Sequence, residues 1–394
     1  MTYRSKVAWI FLLGFALDLV NMFVATIAYP DIARELHASV TQLAWVSNAY
    51  MLGLTLIIPF SVWLAAMMGE RGLIAASLLL FAGASLWVDQ ASSIEALIGW
   101  RLLQGLGGGL LIPVGQAMAY RYFPPAERSQ LTARVMSVAL LVPALSPALG
   151  GLIVDSMSWR WIFYANLPLA LITLLLALLW IKPVAPTNAR PALDVGSIFK
   201  QARSPMLRTA MLIYLCIPGV FIGTSLIAIL YLRGLGYDAA QTGVLMLPWA
   251  LASALAIYLS KKLFNRYGPT PLLLAGMALQ CVGILLLNAP SLIVPAYLLM
   301  GLGGSLCSST AQTLAFLDIP GERMGHASAL WNINRQVSFC VGAAVLSAVL
   351  SALDSFAITF TMAAALTLLP FFAVLRLDAS RVRTLLHPAS EPQR

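Results

Sequence analysis

Charge is what this chain has least of. Only 10% of its 394 residues are Asp, Glu, Lys or Arg, and 60% are apolar; an average soluble protein has about 25% charged residues. A soluble globule of this length cannot screen so much apolar surface with so few charges, which excludes soluble enzymes and disordered proteins. The formal net charge of +9 raises nucleic acid as a partner. The basic residues, however, lie between long apolar runs, so a lipid bilayer takes precedence and no nucleic-acid partner is expected. Metal-binding chemistry is equally scarce. The three histidines, His37, His326 and His387, are scattered, and Cys216, Cys281, Cys307 and Cys340 all fall inside apolar runs without a C-x-x-C partner. The cysteines read as small packing residues, and no metal, cofactor or catalytic Ser/His/Asp set is predicted.

What is present is a series of apolar runs of spanning length, about 20 residues each. They are predicted at 7–29, 42–67, 73–90, 94–120, 131–154, 161–181, 207–232, 241–260, 271–289, 291–317, 326–351 and 355–376. The first is too long for the core of a cleaved signal and reads as a retained helix. Uniformly apolar segments imply helices, because the backbone in hydrocarbon must satisfy its own hydrogen bonds. With the N-terminus in the cytoplasm, 19 Lys and Arg fall on that side and three, Arg34, Arg160 and Arg233, on the other. That asymmetry places both termini in the cytoplasm. Arg101 and Arg335 lie inside spans.

One long polar interruption divides the chain. The expected organisation is an N-terminal six-helix bundle over 1–182, a flexible linker over 183–205 and a C-terminal six-helix bundle over 206–394. An internal repeat supports the division. Residues 102–109 read LLQGLGGG and residues 298–305 read LLMGLGGS, an offset of 196. Gln116 then matches Gln312, Pro124 matches Pro320, and one gap later Glu127-Arg128 matches Glu322-Arg323. Matched halves with helix-breaking residues in equivalent places suit a transporter that rocks about a central site.

Several stretches resemble the major facilitator superfamily, and within it the drug:proton antiporters, over nearly the whole chain. Arg101-Leu102-Leu103-Gln104-Gly105-Leu106-Gly107 is similar to the fourth-helix signature R-x-x-Q-G-x-G. Trp159 to Phe163 with Asn166-Leu167-Pro168 resembles the start of the sixth helix. Tyr29-Pro30-Asp31-Ile32-Ala33 and Trp45-Val46-Ser47-Asn48-Ala49-Tyr50 resemble the end of helix one and the start of helix two. Gly325-His326-Ala327-Ser328-Ala329 followed by Asn332, Asn334, Arg335 and Gln336 resembles helix eleven of the multidrug branch. Departures are as informative. The loop signature G-x-L-A-D-R-x-G-R-R has Ala66 for Asp and Met67 for Arg, keeping Gly69 and Arg71; its second copy has Asn265 for Asp and keeps Arg266 and Gly268. The helix-five antiporter signature G-x-x-x-G-P-x-x-G-G keeps Pro147, Gly150 and Gly151 and replaces both leading glycines with Val142 and Ser146.

Polar groups inside the spans are the candidate machinery. Asp18 is the only acid well inside a span, and a charge there costs about 2.5–3.5 kcal/mol on insertion scales, so a proton site is expected. The alternative is an Asp permanently paired with Arg. The resemblance implies that Arg101 lines the cavity of the first half and takes part in coupling; the alternative is a packing arginine bound to backbone carbonyls. Gln104 shares its helix face. Gly105, Gly107 and Gly109 read as close-packing residues. Asn21, Asn48, Gln104, Tyr214, Ser308, Gln312, Asn332, Arg335 and Gln336 are the candidate substrate contacts. Trp45 and Trp249 read as interfacial anchors. Two buried Arg against one Asp would favour neutral or anionic cargo over lipophilic cations.

The expectation is therefore an all-α integral membrane protein of the bacterial inner membrane and a monomer. Its partners are protons, a small molecule and the bilayer. It would be a proton-coupled antiporter exporting small amphipathic neutral or anionic compounds, a drug or a metabolite such as a siderophore. The alternative is a proton symporter or facilitator that takes up a small organic anion or siderophore.

Overall fold

The computed structural model describes residues 1–184, 191–237 and 239–388. Regular structure among them is helical: α1 (Tyr3–Val24), α2 (Tyr29–Leu36), α3 (Val40–Ile57), α4 (Ser61–Val88), α5 (Ile94–Gly108), α6 (Leu111–Tyr122), α7 (Arg128–Ser156), α8 (Arg160–Trp180), α9 (Gly196–Lys200), α10 (Pro205–Tyr214), α11 (Val220–Gly234), α12 (Ala239–Val244), α13 (Met246–Tyr267), α14 (Pro269–Leu286), α15 (Ile293–Leu317), α16 (Met324–Leu353), α17 (Phe356–Thr367), α18 (Phe371–Leu375) and α19 (Ala379–Leu386). Among the described residues, eleven stretches are long and apolar enough to cross a membrane. One of them, Gln42–Val88, has 47 residues and is broken at Gly69. At about 1.5 Å per residue it is far longer than one crossing of a hydrocarbon core of about 30 Å. Counted as two, it brings the crossings among the described residues to the twelve predicted.

Local chemistry sets where helices begin and break. Ser39 and Gln42 form a reciprocal capping box at the start of α3, at 3.2 and 2.9 Å. Ser93 and Ser355 cap α5 and α17 through the amides of Ala96 and Ile358. Gly69 interrupts α4 with φ +74°, and Gly268 ends α13 with φ +78°. Side chains avoid that left-handed region, so glycine recurs at this corner in both sequence halves. Pro218 denies α10 its ordinary ladder, and a π-turn over Leu215–Gly219 joins it to α11. Gln280 donates to the carbonyl of Ile217 in that turn at 3.1 Å.

The chain forms two compact units. The first comprises Met1–Phe123, Val138–Lys200 and Pro320–Ile333; the second comprises Pro124–Ser137, Gln201–Ile319 and Asn334–Arg394. α7 and α16 each run from one unit into the other. In the first unit Ala25, Ile32, Val46, Leu97, Trp159 and Phe163 share an apolar core. Glu35 of α2 ties down that end. It accepts from Trp159 Nε1 at 2.6 Å and from Arg160, whose guanidinium also donates to the carbonyls of Asp89 (2.9 Å) and Ala91 (3.1 Å). In the second unit Val220, Ile227, Tyr297, Met300, Leu346 and Phe360 form the equivalent core. Outward faces carry leucine stripes, such as Leu141, Leu145, Leu149 and Leu152 on α7, all more than half exposed. Such stripes suit contact with lipid, which does not penalise exposed apolar side chains.

The sequence repeat is also a repeat of packing. A Cβ on Gly105 would lie 2.1 Å from the carbonyl oxygen of Tyr50, and one on Gly301 would lie 2.4 Å from that of Trp249. Helix backbones touch at both places, which only a glycine allows.

Candidate functional site

α1, α3, α4, α5 and α8 bring a connected polar cluster into the interior of the first unit. Asp18, Asn21, Ser85, Arg101, Gln104 and Asn166 are each no more than 2% exposed. Arg101 projects from α5 with its guanidinium hydrogen-bonded to neutral acceptors. Nε donates to the Val46 carbonyl at 2.9 Å, and one terminal nitrogen donates to Asn21 Oδ1 at 3.1 Å and Gln104 Oε1 at 2.9 Å. The rings of Tyr50 and Phe163 cover it at 4.6 and 5.5 Å. The cluster extends outward from these partners. Gln104 donates to Ser85 Oγ at 2.7 Å, and Asn166 donates to Asn21 Oδ1 at 3.0 Å.

Asp18 joins through Tyr50, whose hydroxyl donates to Asp18 Oδ1. Gly108 makes this contact possible: a Cβ there would lie 2.9 Å from the Tyr50 hydroxyl and 3.4 Å from Asp18 Oδ1. An acid held by a phenol next to a buried, hydrogen-bonded cation can exchange a proton without leaving an uncompensated charge in hydrocarbon.

Asn21 and Gln104 thus belong with Asp18 and Arg101, on the same face as the sequence spacing places them. Arg101 is wholly enclosed. The resemblance implies that it lines the cavity of the first half; in the structure its hydrogen bonds go to Val46, Asn21 and Gln104. Asn48 is exposed on α3, away from the cluster. Three members escaped the sequence argument. Tyr50 and Asn166 stand in the motifs of helices two and six without an assigned role, and Ser85 is a lone polar residue in an apolar run. The available signal for Tyr50 was Gly105 and Gly108, two glycines whose packing partner had to be close.

A second set of polar contacts joins segments from the two sequence halves. Within the first unit, Gln116 Oε1 of α6 accepts from Asn332 Nδ2 at 2.8 Å. Ser328 Oγ lies 2.7 Å from the Pro113 carbonyl and 2.9 Å from Gln116 Oε1, and its single proton serves one of them at a time. Arg121 bonds Glu70 at 2.6 Å and the Gly321 carbonyl at 3.1 Å. Beside them lies a cavity of about 220 Å³ lined in part by Val62, Ala65, Ala66, Arg121, Glu322 and His326. Ala66 stands where the loop signature has Asp. Arg71 caps α8 through the Leu178 carbonyl at 2.8 Å.

Within the second unit, Arg128 donates to the carbonyls of Phe316 and Leu317, and Thr313 donates to Thr132 at 2.9 Å. Asn265 donates to the Ala126 carbonyl at 2.6 Å, and Arg266 lies over the Tyr267 ring at 5.2 Å. Gln116 and Ser328 were legible as polar residues inside apolar spans, Gln116 also as a repeat match, yet neither was assigned a role.

The remaining candidates are dispersed. Arg335 is partly exposed on α16, and the ring of buried Tyr214 lies 6.2 Å from that of Phe339. Ser308 bonds back to the Gly304 carbonyl of its own helix at 2.8 Å. Gln312 and Gln336 are buried in α15 and α16. Trp249 stacks on Phe221 at 5.3 Å. Gly150 and Gly151 lie in α7, where a Cβ on Gly151 would meet open space. The side chain of Pro147 falls outside the described residues. No group of three or more His, Cys, Asp or Glu side chains that could hold a metal occurs among the described residues.

The family model of the Major Facilitator Superfamily matches residues 10–343. Multidrug resistance protein Stp of Mycobacterium tuberculosis is 27% identical, over 86% of this chain and 74% of its own length. Two solved structures share the fold at a TM-score of 0.76. The human organic anion transporter MFSD10 (TETRAN) is 18% identical, covering 95% of this chain and 100% of its own. The transporter FucP in the outward conformation is 16% identical, covering 96% and 100%.

Proposed function

Because the chain belongs to the Major Facilitator Superfamily, an integral membrane transporter family, we propose that it is a proton-coupled antiporter. It exports small amphipathic neutral or anionic compounds, drugs or metabolites, across the bacterial inner membrane, with both termini cytoplasmic. The observation that carries the proposal is the buried contact of Asp18 with Tyr50, whose ring lies under Arg101. Asp18 takes a proton when open to the outside and yields it inside as cargo binds. The two sequence halves act as the rocking bundles. Gln116 with Ser328 and Asn332, and Arg128 with Phe316, hold the cytoplasmic side shut and break when it opens. Multidrug resistance protein Stp, similar over most of the chain, supports the drug-efflux branch.

The cargo preference now rests on Arg335 and Tyr214 of the second half, since Arg101 is enclosed. The loss of both leading glycines of the helix-five signature, at Val142 and Ser146, favours uptake by symport as a second reading. Inside-out vesicles holding a pH gradient separate the two. A panel of lipophilic cations, neutral antibiotics and polycarboxylates is added in turn. Proton efflux from the vesicle lumen on adding a neutral or anionic compound supports antiport. Loss of the response to every compound except cations contradicts the cargo class, and proton movement in the opposite sense supports symport.

A further inference from the structure

Tyr50 touches both charges of the buried cluster. Its hydroxyl donates to Asp18 Oδ1, and its ring carries the Arg101 guanidinium at 4.6 Å. It is fully buried, and its freedom to move is small. Its carbonyl oxygen abuts Gly105, where a Cβ would stand 2.1 Å away, and its hydroxyl abuts Gly108 at 2.9 Å. Arg101 is also seated by the carbonyl of Val46, one turn before Tyr50 on the same helix. The same short stretch of α3 therefore holds the cation from two directions.

We infer that Tyr50 is the positioning residue that ties the protonation of Asp18 to the seat of Arg101. The inference rests on the proposal that Asp18 is the proton site. While Asp18 is ionised it is a strong acceptor, and the phenol is held by a charge-assisted hydrogen bond. When Asp18 binds a proton it becomes a weaker acceptor and gains a donor of its own. The phenol loses its anchor, and the face on which Arg101 rests is released with it. One proton enters from one side of the membrane and leaves to the other; no covalent bond changes in the protein.

The charged and titratable groups that bear on this cluster are Asp18 on α1, Tyr50 on α3, Arg101 on α5 and Tyr29 on α2, whose hydroxyl is engaged by Ser47. α6 and α8 also pack on α1, and their arginines are occupied elsewhere, Arg121 by Glu70 and Arg160 by Glu35. Asn166 is what α8 contributes to the cluster.

The test is the pH dependence of proton-driven transport in proteoliposomes holding the full-length protein, with energy-independent substrate exchange as the check on folding. The substrate is whichever compound of the panel the wild type carries. Tyr50→Phe keeps the ring under Arg101 and removes the donor to Asp18, together with the contact of the same hydroxyl with Asn21. Its half-maximal pH is expected to move up by about one unit, a ten-fold gain in proton affinity, because the ionised carboxylate loses a stabilising donor. Gly108→Ala pushes a methyl against the hydroxyl from the opposite side and is expected to shift the profile the same way. A wild-type profile in both variants, with Asp18→Asn losing proton-driven transport, overturns the role of Tyr50 and leaves the proton site standing. Proton-driven transport that survives in Asp18→Asn overturns the proton site itself.

Discussion

A lysine at position 101 would carry the same charge but could not replace the guanidinium. Arg101 donates to Val46, Asn21 and Gln104 from a planar fork, and two rings lie against it. A lysine ammonium is a point donor on a flexible stem and cannot reach all three. Arg101→Lys is predicted to lower stability by about 1–3 kcal/mol, the cost of leaving a buried acceptor unpaired, and to reduce transport at least ten-fold (~1.4 kcal/mol per decade). Thermal unfolding in detergent and vesicle transport measure the two effects. Glu35 gives a second prediction at this scale. Burial of its carboxyl acts to raise its pKa, but the hydrogen bonds from Trp159 and Arg160 and the Arg160 charge outweigh burial and hold it below the ordinary carboxylate value. A depressed pKa stabilises the fold above the unfolded-state value, and that stability is lost as pH falls through the carboxylate range. Glu35 is half exposed, so the pair contributes about 1 kcal/mol or less after solvent screening. Glu35→Gln should lower the melting temperature at neutral pH and flatten its fall between about pH 5 and pH 3. An unchanged acid slope would contradict this.

Among the elements, the contacts between α6 and the first turns of α16 form the proposed closure. Gln116 is buried and bonds Asn332 and Ser328 from one carbonyl oxygen. Gln116→Leu keeps the volume and removes that acceptor, leaving the Asn332 amide short of a partner. It is predicted to raise labelling of a cytoplasmic-side reporter cysteine several-fold, about 1 kcal/mol of lost closure. Ala66→Asp has the opposite expectation. It would place a carboxylate in the cavity beside Arg121 and the start of α16, strengthening closure and reducing the same labelling. Equal labelling in both variants would show that these contacts do not set the gate. The helices themselves were legible in the sequence because lipid imposes a length and a composition on them, and the corners at Gly69 and Gly268 because only glycine adopts their φ. The cluster partners were not. Which apolar-run residue meets Asp18 depends on how α1, α3 and α5 rotate against one another, and the weak amphipathicity of a lipid-facing helix does not record that rotation. Asn48 and Tyr50 lie two positions apart on α3, and only the buried one joins the cluster.

Across the whole molecule, the repeat is kept in packing and broken in chemistry. At the offset of 196, Arg101 corresponds to Tyr297 and Gln104 to Met300, both buried in the apolar core of the second unit. The glycines that let helices touch recur, whereas buried Arg101 and Gln104 do not. The proposed proton site therefore lies in the first sequence half, and the second half contributes Arg335 and Tyr214 to the proposed cargo contacts. The family and the general architecture followed from motifs that report packing, which is why Arg101 was recognised from the sequence while its enclosure was not. The central claim is that Asp18 carries the coupled proton. The direct measurement compares wild type and Asp18→Asn in proteoliposomes in two modes, substrate exchange without a gradient and uphill transport driven by a proton gradient. The account predicts that Asp18→Asn keeps exchange and loses uphill transport. Uphill transport at the wild-type level in the variant would contradict it.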